Sequence, residues 1–220
     1  MAHNSKFRNL FASIFIIVFI IATFAKFATF VYKNKCHFIN CPAASWTQIL
    51  DTAFSKSGTD FRIQKIWASP SRWNRYTENG PTFIDIHIAY TSLKIEPSRV
   101  DEEINHPTKD IEFDDRNLVF DIRTGNSWTN FVPPEDRQEK LRRVSVHPRD
   151  VFLATWSLAE KESGLPPNNA SVIAILNFDE RGRESIWYVT YYYDDIVDLT
   201  FYIDTQTAQI ISVEKNDLSQ

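Results

Sequence analysis

Between Leu10 and Val31 the chain is almost unbroken apolar sequence, with no charge from Leu10 to Ala25 and only Ser13 and Thr23 as hydroxyls in that run. Lys26 interrupts it, and Phe27, Ala28, Phe30 and Val31 resume it, followed by Tyr32. At ~1.5 Å per residue a helix from Leu10 to Val31 measures roughly 33 Å, enough for the ~30 Å hydrocarbon core of a bilayer. Lys26 lies near the far end, so its stem can carry the ammonium to the headgroups. The pattern predicts a membrane helix over residues 10–32 behind a short tail, 1–9. A cleaved signal peptide competes with this, because Lys6 and Arg8 precede the apolar run. Thr23-Phe24-Ala25 followed by Lys26 is a poor cleavage site, so a retained anchor is the expectation.

Beyond a stalk over 33–44 the period of the pattern changes. Trp46, Ile49, Leu50, Ala53 and Phe54 recur at helical spacing and Gly58 follows, which predicts a helix over Ala44–Ser57. Phe61, Ile63 and Ile66-Trp67 suggest a strand ending near Pro70. Ile84, Ile86 and Ile88 alternate with Asp85, His87 and Ala89, a half-buried strand. Residues 96–115 are acidic and poor in apolar positions, and read as a long exposed loop. Asn117–Asp121 reads as a strand, Arg123–Asn126 as a turn and Ser127–Val132 as a return strand, closed by Pro133-Pro134. A charged stretch, 135–148, reads as a linker. Pro148 then opens a second helix, lined by Val151, Leu153, Ala154, Leu158 and Ala159 and stopped by Gly164. Strands are expected over Ser171–Phe178, Ser185–Tyr193, Val197–Ile203 and Gln209–Val213, with connections short enough for antiparallel hairpins.

The two halves echo each other. Leu118 to Gly125 and Phe201 to Ala208 both read apolar-x-apolar-Asp-x-x-Thr-small, each followed by another strand. Asp121, Thr124 and Gly125, and likewise Asp204 and Thr207, are therefore expected to build tight turns, since Asp accepts hydrogen bonds from turn amides and Gly tolerates positive φ. The expectation is two α+β units, 45–134 and 149–216, each a helix on an antiparallel sheet.

The second half, with its helix, Trp187-Tyr188-Val189 in a strand, a short hairpin and the turn after Phe201, resembles the PepSY domain. The resemblance covers residues 149–214 and extends to the first half through Asp121 to Gly125. It implies two cystatin-like units in tandem. Such domains act by binding, in some cases by restraining a peptidase, and bring no catalytic residues with them. Ala208 departs from the pattern by standing where a glycine usually closes the turn.

Composition narrows the functional classes. Apolar residues make up 43% of the chain and aromatics 14%, which suits a folded, β-rich domain. The net charge of −4 gives no case for nucleic acid or anionic lipid as a partner. Lys6 and Arg8 before the helix balance Lys33 and Lys35 after it, so charge barely orients the anchor. Cys36 and Cys41 read either as a local disulfide or as two unrelated thiols, and the disulfide reading suits an oxidising compartment outside the cytoplasm. With His37 they would give zinc only three ligands at an unusual spacing.

No HExxH, GxSxG, phosphate loop or CxxC is present in the sequence. Asp85 and His87 share one strand face, but no nucleophile accompanies them, and a polar outer face explains them better. The acids of 96–115, and Asp194, Asp195 and Asp198, lack the ligand spacing of an EF-hand. Asn169-Ala170-Ser171 fits a glycosylation sequon by pattern alone. No cofactor or metal is expected. Tyr188, Tyr192 and Tyr202 share one alternation phase in the second half, and tyrosine suits protein contacts because it offers area and a polar tip. The expectation is a non-enzymatic, single-pass protein of the cytoplasmic membrane, its C-terminal domain extracytoplasmic and binding a protein or peptide through those tyrosines. A scaffold subunit of a cell-envelope or secretion complex is the alternative.

Overall fold

In the computed structural model, residues 3–33, 35–38, 41–71, 76–93, 106–116, 120–127, 136–178, 185–194 and 196–218 are described. The chain forms two compact units, Met1–Cys41 and Pro42–Gln220.

The first unit is helical. Helix α1 covers His3–Lys33, and its segment Ile14–Tyr32 is long and apolar enough to cross a membrane, with mean hydropathy 2.5 and none of it buried. A short helix, α2, covers Lys35–Phe38. Cys36 and Cys41 are joined by a disulfide, S–S 2.04 Å.

The second unit is α+β, built on one eight-stranded antiparallel sheet. It opens with α3 (Trp46–Ser57), whose first turn is closed by a capping box: Ser45 Oγ accepts from Gln48 N at 3.2 Å, and Ser45 N donates to Gln48 Oε1 at 2.9 Å. Strand β1 (Phe61–Pro70) follows, then a small hairpin of β2 (Tyr76–Thr77) and β3 (Gly80–Pro81), then β4 (Ile84–Ser92), β5 (His106–Asp114) and β6 (Phe120–Ser127). After α4 (Arg137–Arg143) comes α5 (Pro148–Ser163), and then β7 (Ser171–Asn177), β8 (Ile186–Tyr193), β9 (Val197–Asp204) and β10 (Ile210–Asp217). The strand order across the sheet is β10-β9-β8-β7-β1-β4-β5-β6.

Each half is thus a helix followed by four large strands in meander, and the halves meet where β1 lies antiparallel to β7 with Trp67 opposite Ile175. Rotating the sheet by half a turn about that pair carries Ala68 onto Leu176. The ladders then carry Ile86 onto Trp187, Phe113 onto Ile203 and Phe120 onto Ile210. The same symmetry holds at the helices. Ala44 N, just before α3, donates to Asp115 O at 2.7 Å, and Val146 N, just before α5, donates to Thr205 O at 3.0 Å.

One face of the sheet carries the core. Ile66, Ile86, Ile88, Phe113, Trp187, Val189, Leu199 and Phe201 are fully buried there, beneath Ile49 and Ala53 of α3 and Val151, Phe152 and Ala159 of α5. Trp46 meets Trp187 edge-on at 6.3 Å, and the Thr155 hydroxyl lies 2.8 Å from Tyr191 OH, so each helix sits on the side from which these strands turn inward. The core is continuous across the two halves.

Three expectations need correction. The acidic stretch expected to be a loop contains β5, paired with β4 on one side and β6 on the other, with Ile111 and Phe113 fully buried. Two inward apolar residues are enough because β5 shows its acids to the other face; residues 94–105 lie outside those described. Secondly, Asp121, Thr124 and Gly125 form no turn. They lie within β6, opposite Glu112, Lys109 and Thr108, and Gly125 is not among the glycines with positive φ. Of the strands expected over Asn117–Asp121 and Ser127–Val132, residues 117–119 and 128–132 lie outside those described. The true counterpart of Asp204 is Asp114: Ile111-Glu112-Phe113-Asp114 and Phe201-Tyr202-Ile203-Asp204 end equivalent strands. Both carboxylates accept a turn amide at 2.9 Å, from Arg116 N and Gln206 N respectively. Thirdly, 135–148 does not separate two bodies. Leu141, Val144 and Val146 are buried in the shared core, and Arg137 of α4 donates to Gln64 O of β1 at 2.7 Å.

Candidate binding face

Alternation fixes what the sheet shows on the side away from the helices. Since Ile66 and Ala68 point inward, Trp67 points out, and the ladders extend its row to His87 and Glu112 on one side and to Ile175, Tyr188, Tyr202 and Ser212 on the other. Along β7, β8, β9 and residues 84–89 of β4, buried positions alternate with half-buried or exposed ones, the pattern of a sheet covered on one side.

The second half of this face is aromatic. Tyr188 and Tyr202 stand opposite each other across β8 and β9, their rings T-shaped at 4.9 Å. Asn177 Nδ2 donates to Tyr188 OH at 3.2 Å, and Tyr202 OH donates to Glu214 Oε2 at 2.6 Å. That bond to a carboxylate, which favours the protonated phenol, pushes the Tyr202 pKa up to about 12. Tyr192 is 43% exposed on the same strand face. The hydroxyls of Thr190 and Thr200 lie 3.1 Å apart between the tyrosine rows. Beside Tyr188 a cleft of about 400 Å³ is lined by Lys65, Arg137, Ile175, Asn177 and Thr200. All three tyrosines read from the sequence therefore share one open surface.

The first half of the face is acidic. Asp85, Asp110, Glu112 and Asp114 project from β4 and β5. Burial raises the Asp85 pKa to about 6, Asp114 and Glu112 add to the rise, and a Ser71 hydrogen bond and His87 oppose it. His87 stacks on Trp67, centroids 4.7 Å apart and planes 4° apart, with Nδ1 3.4 Å from Asp110 Oδ2. Lys65 Nζ lies 5.5 Å from the Trp67 ring centroid. Glu112 pairs with Arg123 at 2.7 Å. Chemically this is an imidazole among carboxylates, its ring stacked on Trp67 and its Nδ1 near Asp110. Among the described residues no group of three or more His, Cys, Asp or Glu is arranged to hold a metal ion.

Asp204 and Thr207 sit at the edge of the site, in the β9–β10 turn. Asp204 Oδ1 accepts from Gln206 N at 2.9 Å, from Thr207 N at 2.7 Å and from Thr207 Oγ1 at 2.7 Å, and the Thr207 bonds hold its carboxyl below the usual carboxylate range. Cys36 and Cys41 belong to the other unit. The sequence reading missed Trp67, Ile175 and the β5 carboxylates as parts of this face. The alternation of β1 and β4 was visible; what was hidden was that β1 and β7 are neighbours, which brings the acidic and aromatic halves together.

No family model matches the chain, and no curated protein matches it. Among solved structures it is similar to one described as a "putative lipoprotein" from Clostridium difficile 630. The two share 13% identity over 79% of this chain and 94% of that chain, with a TM-score of 0.45. An overlap that loose carries no argument about function.

Proposed function

We propose that the chain is a non-enzymatic, single-pass protein of the cytoplasmic membrane whose second unit faces outward and binds a protein or peptide through the open face of its sheet. On this reading the two halves are a fused tandem of cystatin-like, PepSY-type units. The observation that carries the proposal is the placement of Tyr188, Tyr192 and Tyr202 on the face opposite the helices, beside the cleft. An antiparallel sheet tolerates water on one face, but it does not need three tyrosines there. Orientation is supported by the Cys36–Cys41 disulfide beside the apolar helix, because disulfides persist in oxidising compartments.

The test separates surface from core. Tyr188→Ala with Tyr192→Ala should leave the melting temperature nearly unchanged and weaken partner binding by about 2 kcal/mol or more, as central aromatic contacts do. Were the pair core, the cost to folding would be ~2–5 kcal/mol for each residue, and a large drop in melting temperature would refute the surface. A reporter active only outside the cytoplasm, fused after Gln220, should be active.

A further inference from the structure

Resting on the binding-face reading above, we infer that the partner is a cationic polypeptide segment carrying apolar side chains between its basic ones. The argument is charge and shape on one surface. The centre of the open face is apolar and aromatic: Trp67 on β1, Ile173 and Ile175 on β7, and Tyr188 on β8, adjoining one another through the ladders. Carboxylates bound this centre on both sides. Asp85, Asp110, Glu112, Asp114 and Asp121 lie on the β4–β6 flank. Asp198, Asp204 and Glu214 lie on the β9–β10 flank. Among the described residues the cations on this face are Arg62, Lys65 and Arg123 by strand register, and Arg137 of α4, which lines the cleft with Lys65. Arg123 is already paired with Glu112.

The imbalance belongs to this face rather than to the molecule as a whole, which carries a net charge of only −4. On the helix side the sheet shows Lys109, whose Nζ donates to Ser57 O, and Lys215, whose Nζ donates to Glu162 O. Two acidic flanks about an apolar strip attract basic residues to the margins and apolar residues to the middle, and they repel an acidic or purely polar segment. An acidic partner would set like charges opposite each other, a repulsion that selects against wrong partners. A nucleic acid is disfavoured for the same reason.

The experiment uses the full chain in nanodiscs of zwitterionic phosphatidylcholine, panned with a random-peptide library and counter-selected on empty nanodiscs. Enriched peptides should be net basic with interspersed apolar residues, and their affinity should fall as ionic strength rises. They should bind the charge-reversed variant Asp121→Lys/Asp198→Lys at least ten-fold more weakly. A melting curve of that variant, together with the salt dependence of the unaltered chain, keeps the test valid if the variant folds poorly. Neutral or acidic winners, or basic winners indifferent to salt and charge reversal, overturn the inference. If such winners still lose affinity for Tyr188→Ala/Tyr192→Ala, the binding face stands and only its charge preference falls. If neither variant alters binding, or nothing is enriched, both readings fall.

Discussion

The two halves of the sheet occupy equivalent frames and are secured by different chemistry. At the turn after the third large strand, the first half places Asp115 and the second half Thr205, and each gives its carbonyl to the segment entering a helix. Asp115 goes further. Its fully buried carboxylate takes Arg149 Nε at 2.8 Å and Arg149 Nη2, while Oδ1 accepts from Ile84 N at 3.1 Å. Arg149 in turn donates to Pro81 O at 3.2 Å and Thr82 O at 2.8 Å. So the first turn of α5, in the second half, is held to the first half by a charge that has no counterpart at Thr205. The lesson is that the two halves share one frame, and one buried ion pair locks them asymmetrically.

Breaking that lock gives the largest expected effect. Asp115→Ala leaves Arg149 only 15% exposed and without its carboxylate, and should cost ~3–5 kcal/mol in denaturant unfolding. Thr205→Ala, at the equivalent place, should cost no more than about 1.5 kcal/mol, because Thr205 acts in the frame through its backbone carbonyl. Equal costs would dissolve the asymmetry. The double variant Asp115→Leu/Arg149→Met should recover most of the loss, since replacing a buried pair by apolar residues is often neutral.

The helix caps differ in kind as well. Ser45 caps α3 with a hydroxyl, whereas His147 caps α5 by accepting Arg149 N at its Nδ1, 3.0 Å. Burial, aided by the Arg149 charge, lowers the His147 pKa to about 4 from 6.5. The unfolded chain then binds the proton more tightly, so this contribution is complete above about pH 6.5 and is lost as pH falls towards 4. The loss is roughly 3 kcal/mol at most. His147→Ser should keep the cap and flatten that limb of the stability–pH curve, while Ser45→Ala should cost about 1 kcal/mol at every pH.

On the open face the sign is reversed. Asp85 has a folded pKa of about 6 against 3.8 unfolded, so the folded chain binds its proton more tightly and stability falls as pH rises from about 4 to 6. Asp85→Asn should therefore stabilise the fold at pH 7, by up to about 3 kcal/mol, and change little near pH 4. The equivalent position in the second half is Ile186, which has no titratable side chain, and Ile186→Val should leave the shape of the stability–pH curve as it was. Unfolding curves at the two pH values check both variants.

Much of this frame was legible in the sequence, and the failures share a cause. The helix over Trp46–Ser57 and the strands β7 to β9 announce themselves by period, because each buries several residues on one side. Strand β5 did not, since its outward positions are Thr108, Asp110, Glu112 and Asp114, which read as solvated loop until two neighbours are known. The internal echo was real but was placed seven residues late. Apolar-x-apolar-Asp occurs twice in the first half, at Phe113-Asp114 and at Phe120-Asp121. The second occurrence also matched Thr and a small residue, while pairing selected the first. The candidate binding face depended on β1 meeting β7, a contact between strands remote in sequence that no local pattern encodes.

The smallest effect sharpens what remains of the turn motif. Ala208 has φ 59°, and it is the non-glycine residue with positive φ among those described. Its N–H donates to Asp204 O at 3.1 Å, so the left-handed conformation is imposed by the turn that Asp204 and Thr207 build. For an L-residue that conformation costs about 1–2 kcal/mol, because Cβ approaches the following carbonyl. Ala208→Gly removes the clash but gives the unfolded chain more freedom, which offsets roughly 0.5–1 kcal/mol of the gain. The net expectation is stabilisation of about 0.5 kcal/mol, read as a small rise in melting temperature. Glycine at Thr207, which donates twice to Asp204, should be destabilising instead. A loss of stability on Ala208→Gly would mean that the turn in solution does not hold this residue at positive φ.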